Sequence, residues 1–97
     1  MDRNNLNEIE KISDLLAKET DKGQILGFII EMLTKSELET FSKRWQILNM
    51  LKEGLTQREI AKRLKVSLCK VTRGAQILKN NESVVAKYLR KGKNNEY

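Results

Sequence analysis

Leu6, Ile9, Ile12 and Leu16 recur at helical spacing among Glu8, Glu10, Lys11, Asp14 and Lys18, which predicts an amphipathic helix that closes near Asp21-Lys22-Gly23. Its apolar stripe is narrow and has to pack on another element. Ile25, Leu26, Phe28, Ile29, Ile30, Met32 and Leu33 then form an almost unbroken apolar segment. A strand would also give that pattern, but a helix start follows at once, so a short buried helix over 24–33 is expected. Thr34-Lys35-Ser36-Glu37 has the form of a capping box, with the Thr hydroxyl accepting the N3 amide and the Glu reaching back to the N-cap amide. From there Leu38, Phe41, Trp45 and Leu48, with Ile47 and Leu51 on an adjacent flank, predict a helix over 35–53, ~27 Å long. Apolar positions on two sides make it central, with Trp45 a core residue.

Thr56-Gln57-Arg58-Glu59 repeats the capping-box form and opens a two-turn helix over 57–64. Lys65-Val66 makes the connection, Ser67 is the expected N-cap, and a further helix is predicted over 68–80, while the tail from Lys87 is expected to start as a short helix and fray beyond Gly92. Residues 56–80 therefore read as a helix-turn-helix: Ala61 is small where the helices cross, Ile60, Leu64 and Val66 fill one side, and Val71, Ala75 and Leu78 the other. The position after Leu64 often holds Gly, because a left-handed backbone there costs other residues roughly 1 kcal/mol. The outward side chains of the second helix are Cys69, Lys70, Thr72, Arg73, Gln76 and Lys79, and the first adds Gln57, Arg58 and Lys62. Donors of this kind suit phosphates and base edges in a DNA major groove. A plain helical hairpin with a solvated polar face is the alternative.

Charge favours the DNA reading. Residues 1–54 carry eight basic and ten acidic side chains, residues 55–97 eleven and three, so the net charge of +6 resides in the second segment. A segmental excess of this kind is the footprint of a polyanion binder, or else of a solvated basic tail. The chain has 97 residues and no proline, which fits one all-helical domain. With no histidine and a single cysteine, Cys69, it lacks disulfide frameworks, Cys/His metal sites and histidine-based nucleophile systems. No catalytic residues and no metal ligands are assigned, and an enzyme is not expected. Without an apolar run of membrane-spanning length or an apolar leader in MDRNNLNEIEK, no membrane partner is expected, and the location is cytoplasmic.

Met32-Leu33-Thr34, Lys43-Arg44, Leu51, Gly54, Thr56-Gln57-Arg58-Glu59-Ile60, Thr72-Arg73-Gly74 and Leu78-Lys79 resemble the bacterial tryptophan repressor family. The resemblance covers about half the chain, residues 32–79, and is most specific in Gln57-Arg58-Glu59 and Thr72-Arg73-Gly74. It implies an all-α, six-helix, intertwined homodimer with helices near 5–21, 24–33, 35–53, 57–64, 68–80 and 82–91: one domain over 1–97, with 1–53 and 82–97 in the dimer core and 56–80 as a helix-turn-helix reading head. It also implies a pocket for L-tryptophan, in which Arg44 and Arg73 sandwich the ring, Gly74 packs against it and Thr34 lies beside it. The carbonyls of Glu31 and Leu33 would hold the amino group from the opposite chain. Guanidinium planes suit both tasks, since they stack on aromatic faces and grip carboxylates. Two positions depart from the family: Ile77 replaces a serine near the amino group and Lys70 a threonine at the start of the recognition helix. The turn Glu53-Gly54-Leu55-Thr56 is also one residue shorter than in the enteric repressors.

The expected function is a sequence-specific transcriptional repressor. It binds a double-stranded operator as a homodimer and needs no cofactor beyond a possible corepressor, L-tryptophan or a similar small aromatic amino acid. A ligand-independent regulator and a helical protein-interaction module remain as alternatives. For Arg44 an ion pair with Glu39 or Glu31 competes with a ligand role, and for Arg73 a bare phosphate contact does.

Overall fold

The structure is a computed structural model that describes the backbone of residues 1–95 and the side chains of residues 1–90. Among the described residues there are six helices and no strand: α1 (Arg3–Lys18), α2 (Lys22–Met32), α3 (Lys35–Lys52), α4 (Gln57–Leu64), α5 (Leu68–Lys79) and α6 (Val84–Asn95). The all-helical expectation holds. α6 starts later than predicted and continues through Gly92, and Glu96 and Tyr97 of the tail lie outside the described residues. No described helix is long and apolar enough to cross a membrane. The chain divides into two compact units, Met1–Leu38 and Glu39–Tyr97.

In the first unit, caps explain the helix ends. Asp2 accepts the Asn5 amide at 2.8 Å, which starts α1 two residues earlier than the family resemblance implies. α1 stops at Lys18 because Glu19 turns extended and its carboxylate accepts the Asp21 amide at 3.1 Å. The Asp21 carbonyl then receives the Gln24 and Ile25 amides and so opens α2. Neither α1 nor α2 has a buried residue in the single chain. That corrects the expectation of a buried second helix: Ile25, Phe28 and Ile29 are half-buried, while Leu26, Ile30 and Met32 are exposed. The box at Thr34 forms with both arms, the Glu37 amide donating to Thr34 Oγ1 at 3.1 Å and the Thr34 amide to Glu37 Oε1 at 2.8 Å.

The second unit has a core. Ile47 of α3, Ile60 of α4 and Val71 of α5 form its centre, with Met50, Leu51, Leu55, Ala61, Leu64 and Val66 packed around them. Leu48, Ala86 and Leu89 are also buried. Ala75 and Leu78 are half-buried and lie outside that cluster, so α5 contributes less to it than its pattern predicts. Trp45 is 53% and Phe41 56% exposed, so Trp45 is not a core residue of the single chain. Only one side of α3 is covered, through Ile47 and Leu48.

Tight connections fix the order of α3, α4 and α5. Gly54, at φ +96°, closes α3 by donating to Leu51, and the Leu55 amide reaches the Met50 carbonyl at 3.2 Å. Thr56 Oγ1 accepts the Glu59 amide at 3.2 Å, but the Glu59 carboxylate pairs with Arg63 at 2.7 Å instead of returning to the cap. Lys65 is left-handed (φ 56°, ψ 47°), as the turn requires, and lets the Val66 amide bond the Ala61 carbonyl at 3.1 Å. Ser67 accepts the Lys70 amide and starts α5. Gly74 sits where α5 crosses α3. A Cβ there would stand 2.9 Å from Ile47 Cγ2 and 3.3 Å from Leu51 Cδ1, so the crossing distance itself requires glycine. Asn80 and Ser83 bond the Glu82 and Ala86 amides, which delays α6 to Val84.

Candidate nucleic-acid interface and ligand pocket

α4 and α5 bring the predicted polar residues to the surface. Arg58, Lys62, Cys69, Lys70, Thr72, Arg73, Gln76 and Lys79 are exposed, and Gln57 is half-buried. Gln57 and Thr72 are tied together, the Thr72 hydroxyl donating to Gln57 Oε1 at 2.9 Å. That bond uses the acceptor of the Gln57 amide and leaves its NH2 donors for another partner. It also joins the start of α4 to α5. Residues 56–80 hold seven basic side chains and one acidic, Glu59, which Arg63 neutralises. The remaining positive charge faces water with no buried polar group to hold it.

Behind that face lies a cavity of about 480 Å³ within the second unit. Arg44 on α3 and Arg73, Gly74 and Ile77 on α5 all line it, so these four of the predicted ligand residues come together. Phe41, Trp45, Leu48 and Val85 supply apolar wall. Lys70 lines it as well, so Lys70 and Arg73 take part in both the outward polar face and the cavity. Among the described residues Arg44 has no ion pair. Glu39, its expected competitor partner, bonds Lys43 at 3.4 Å instead. A guanidinium beside two aromatic rings and a glycine-floored gap can stack on a flat ligand and bind its anionic end.

Glu31, Leu33 and Thr34 belong to the first unit. Among the described residues, the carbonyls of Glu31 and Leu33 at the end of α2 accept no backbone hydrogen bond, so they remain available as acceptors. The Thr34 hydroxyl already accepts the Glu37 amide and keeps its proton and one lone pair to offer a ligand. Thr34 also acts on Glu37: its amide first, and its side chain second, hold the Glu37 carboxyl below the usual carboxylate range.

The sequence pattern gives no ligand role to Phe41, Trp45, Ile47, Leu48 or Val85, which also line the cavity. Trp45 reads as a core residue from its pattern, yet Phe41, Arg44, Trp45 and Leu48 follow one helical stripe, which marks them as a common wall. Lys43 and Lys65 line a second, smaller cleft with Arg44, Lys70 and Arg73. Their signal was weak, because isolated lysines read as solvated charge. No group of three His, Cys, Asp or Glu side chains among the described residues is placed to hold a metal ion.

Comparison with known proteins gives one consistent picture. The family model described as Trp repressor protein matches residues 7–93. The chain is 39% identical over 84 residues to the Trp operon repressor homolog of Xylella fastidiosa, an alignment covering 84% of this chain and 88% of that protein. It is 38% identical over 60 residues to the Trp operon repressor homolog of Chlamydia trachomatis serovar L2, covering 61% of this chain and 64% of that protein. No solved structure gives a significant match.

Proposed function

The chain belongs to the Trp repressor family, a regulatory DNA-binding family and not an enzymatic one, and on that premise we propose a homodimeric, sequence-specific repressor whose operator affinity is raised by a small aromatic corepressor, L-tryptophan or similar. In this reading α4 and α5 form the helix-turn-helix. Lys70, Thr72 and Arg73 face bases or nearby phosphates, and Gln57, Arg58 and Lys79 set the head on the backbone. Lys62, Cys69 and Gln76 complete the face. The corepressor occupies the cavity between Arg44 and Arg73, against Gly74 and Ile77, and Thr34, Glu31 and Leu33 supply polar partners. The protein acts in the cytoplasm, where the DNA is.

One observation carries this reading: Lys70 and Arg73 belong at once to the basic surface and to an open cavity with aromatic and guanidinium walls. A ligand seated there touches the side chains that meet DNA, so it has differential affinity for head orientations that do or do not fit successive major grooves. Support for the dimer comes from the exposed apolar positions Leu6, Ile9, Leu15, Leu26, Ile30 and Met32. A soluble monomer rarely leaves so many together in water.

A gel-shift series with genomic fragments, with and without L-tryptophan, tests the proposal. Retention that strengthens with the amino acid, and heat on calorimetric titration of the same ligand, are expected. Retention without any ligand effect would favour the ligand-independent regulator, and no retention at low salt would favour a protein-interaction module.

A further inference from the structure

Among the described residues Lys65 alone, apart from glycine, has a positive φ, with φ 56° and ψ 47°. A Cβ is disfavoured in that conformation, and glycine would adopt it without strain. The turn is closed by backbone bonds, from the Lys65 and Val66 amides to the Ala61 carbonyl, and a glycine would donate the same ones. The Lys65 side chain is exposed and, among the described residues, in no ion pair. The turn therefore keeps a lysine where the fold favours glycine, and a backbone outlier of this kind points to function.

The surroundings of Lys65 say which function. With Lys43 and Arg44 of α3 and Lys70 and Arg73 of α5, it lines a cleft of about 280 Å³. The cleft's single carboxylate, Glu39, meets Lys43 at 3.4 Å in a largely exposed pair, which water keeps weak. Residues 60–81 carry six basic side chains and no acidic one, so the two helices and their turn bring no countercharge of their own. Gathered cations repel one another until an anion answers them.

Position identifies the anion. Lys70 and Arg73 belong to the face assigned to DNA, and a helix-turn-helix lays the start of its second helix in the major groove. Lys65 precedes that start, and Lys43 flanks it from α3. A groove is walled by phosphates, so cations beside the entering end of a helix meet the backbone and not the bases. We propose that Lys65 and Lys43 clamp one phosphate of the DNA backbone between α3 and the turn, which extends the DNA face from the helix-turn-helix onto α3. The proposal rests on the DNA-binding reading above and adds to it two residues outside the predicted face. Glu39 opposes the phosphate and weakens the clamp.

Salt series of DNA titrations by fluorescence anisotropy test the clamp, with full-length protein and two duplexes of equal length, the segment upstream of this protein's own gene and a shuffled version of it. Lys65→Gly should reduce the slope of log affinity against log salt by about 1. It should weaken both duplexes by the same factor of about three to ten, although its thermal midpoint rises because the turn is relieved. A residue that only shapes the turn would not lower affinity while the fold gains stability. Lys65→Arg keeps the charge and should keep the slope. Lys43→Gln should act on binding as Lys65→Gly does, and Glu39→Gln should tighten it. An unchanged slope in either lysine variant overturns the clamp, as does weakening confined to the upstream duplex, which would mean a base contact. If Arg58→Ala still lowers the slope, the DNA-binding reading stands without the clamp. A slope that none of these substitutions changes overturns both.

Discussion

The two units are built from the same kind of helix and yet bury their apolar residues very differently. Residues of Glu39–Tyr97 enclose Ile60 and Val71 completely, and Ile47 almost so. Met1–Leu38 encloses nothing, although α2 is the most apolar helix in the chain and Leu15, Leu26, Ile30 and Met32 are all about half-exposed or more. Helical propensity alone does not stabilise so short a segment in water, since most helical stability in proteins comes from a packed face. The second unit therefore holds its own core, and the first has none in the single chain. The difference also divides the labour: the unit with a core of its own carries the basic face and the cavity.

The largest expected effect strikes the first unit. Leu26→Asp combined with Ile30→Asp places two charges on its apolar surface and should abolish dimerisation. Light scattering should then show a monomer mass, and a dimer unchanged by the pair would remove the contrast. In the second unit, Ile60→Ala should cost about 2–5 kcal/mol of stability, read by denaturant unfolding, because a fully enclosed side chain leaves a cavity. A loss below that range would mean that this core relaxes freely and is no better packed than the first unit. Gly74→Ala should cost roughly 1–2 kcal/mol net, since overpacking against Ile47 outweighs the helix-propensity gain of the added methyl. It should weaken ligand binding as well, because Gly74 lines the cavity. Unchanged stability would show that α5 can move off α3.

Two smaller effects test local geometry in each unit. Lys65→Gly should stabilise the second unit by about 0.5 kcal/mol, the relief of a left-handed side chain reduced by glycine's extra freedom when unfolded. In the first unit, Glu37→Gln should produce a small pH-dependent loss. The Thr34 amide and hydroxyl lower the Glu37 carboxyl in the folded state, so its contribution is present above the unfolded carboxylate pKa and disappears as pH falls through the lowered folded value. The difference in Tm between wild type and variant should therefore shrink on acidification. A constant difference would contradict the ionised cap.

Much of this was legible because the chain punctuates itself. Thr34, Thr56 and Ser67 all cap as their spacing indicates, and the left-handed turn falls on Lys65, where the motif needs it. α4 was bounded to the residue because cap and turn are both local. Burial was less legible. An apolar stripe records every surface that prefers to leave water, including those covered only by another molecule or a ligand. Trp45 and, in α2, Leu26, Ile30 and Met32 therefore read as core and are exposed in the single chain. Arg44, Arg73, Gly74 and Ile77 were found through the family resemblance, and the structure places them around one cavity. Lys43 and Lys65 escaped notice because their meaning comes from convergence between α3, the turn and α5, which no single helical period encodes.

The most direct test is a salt series of DNA titrations by fluorescence anisotropy, using the segment upstream of this protein's own gene and comparing wild type with Arg58→Ala. The basic face of the second unit predicts an affinity that falls steeply with salt and a slope that Arg58→Ala reduces by about 1, the signature of one lost phosphate contact. A wild-type affinity indifferent to salt, or a slope that the substitution leaves unchanged, would contradict the assignment of this face to DNA.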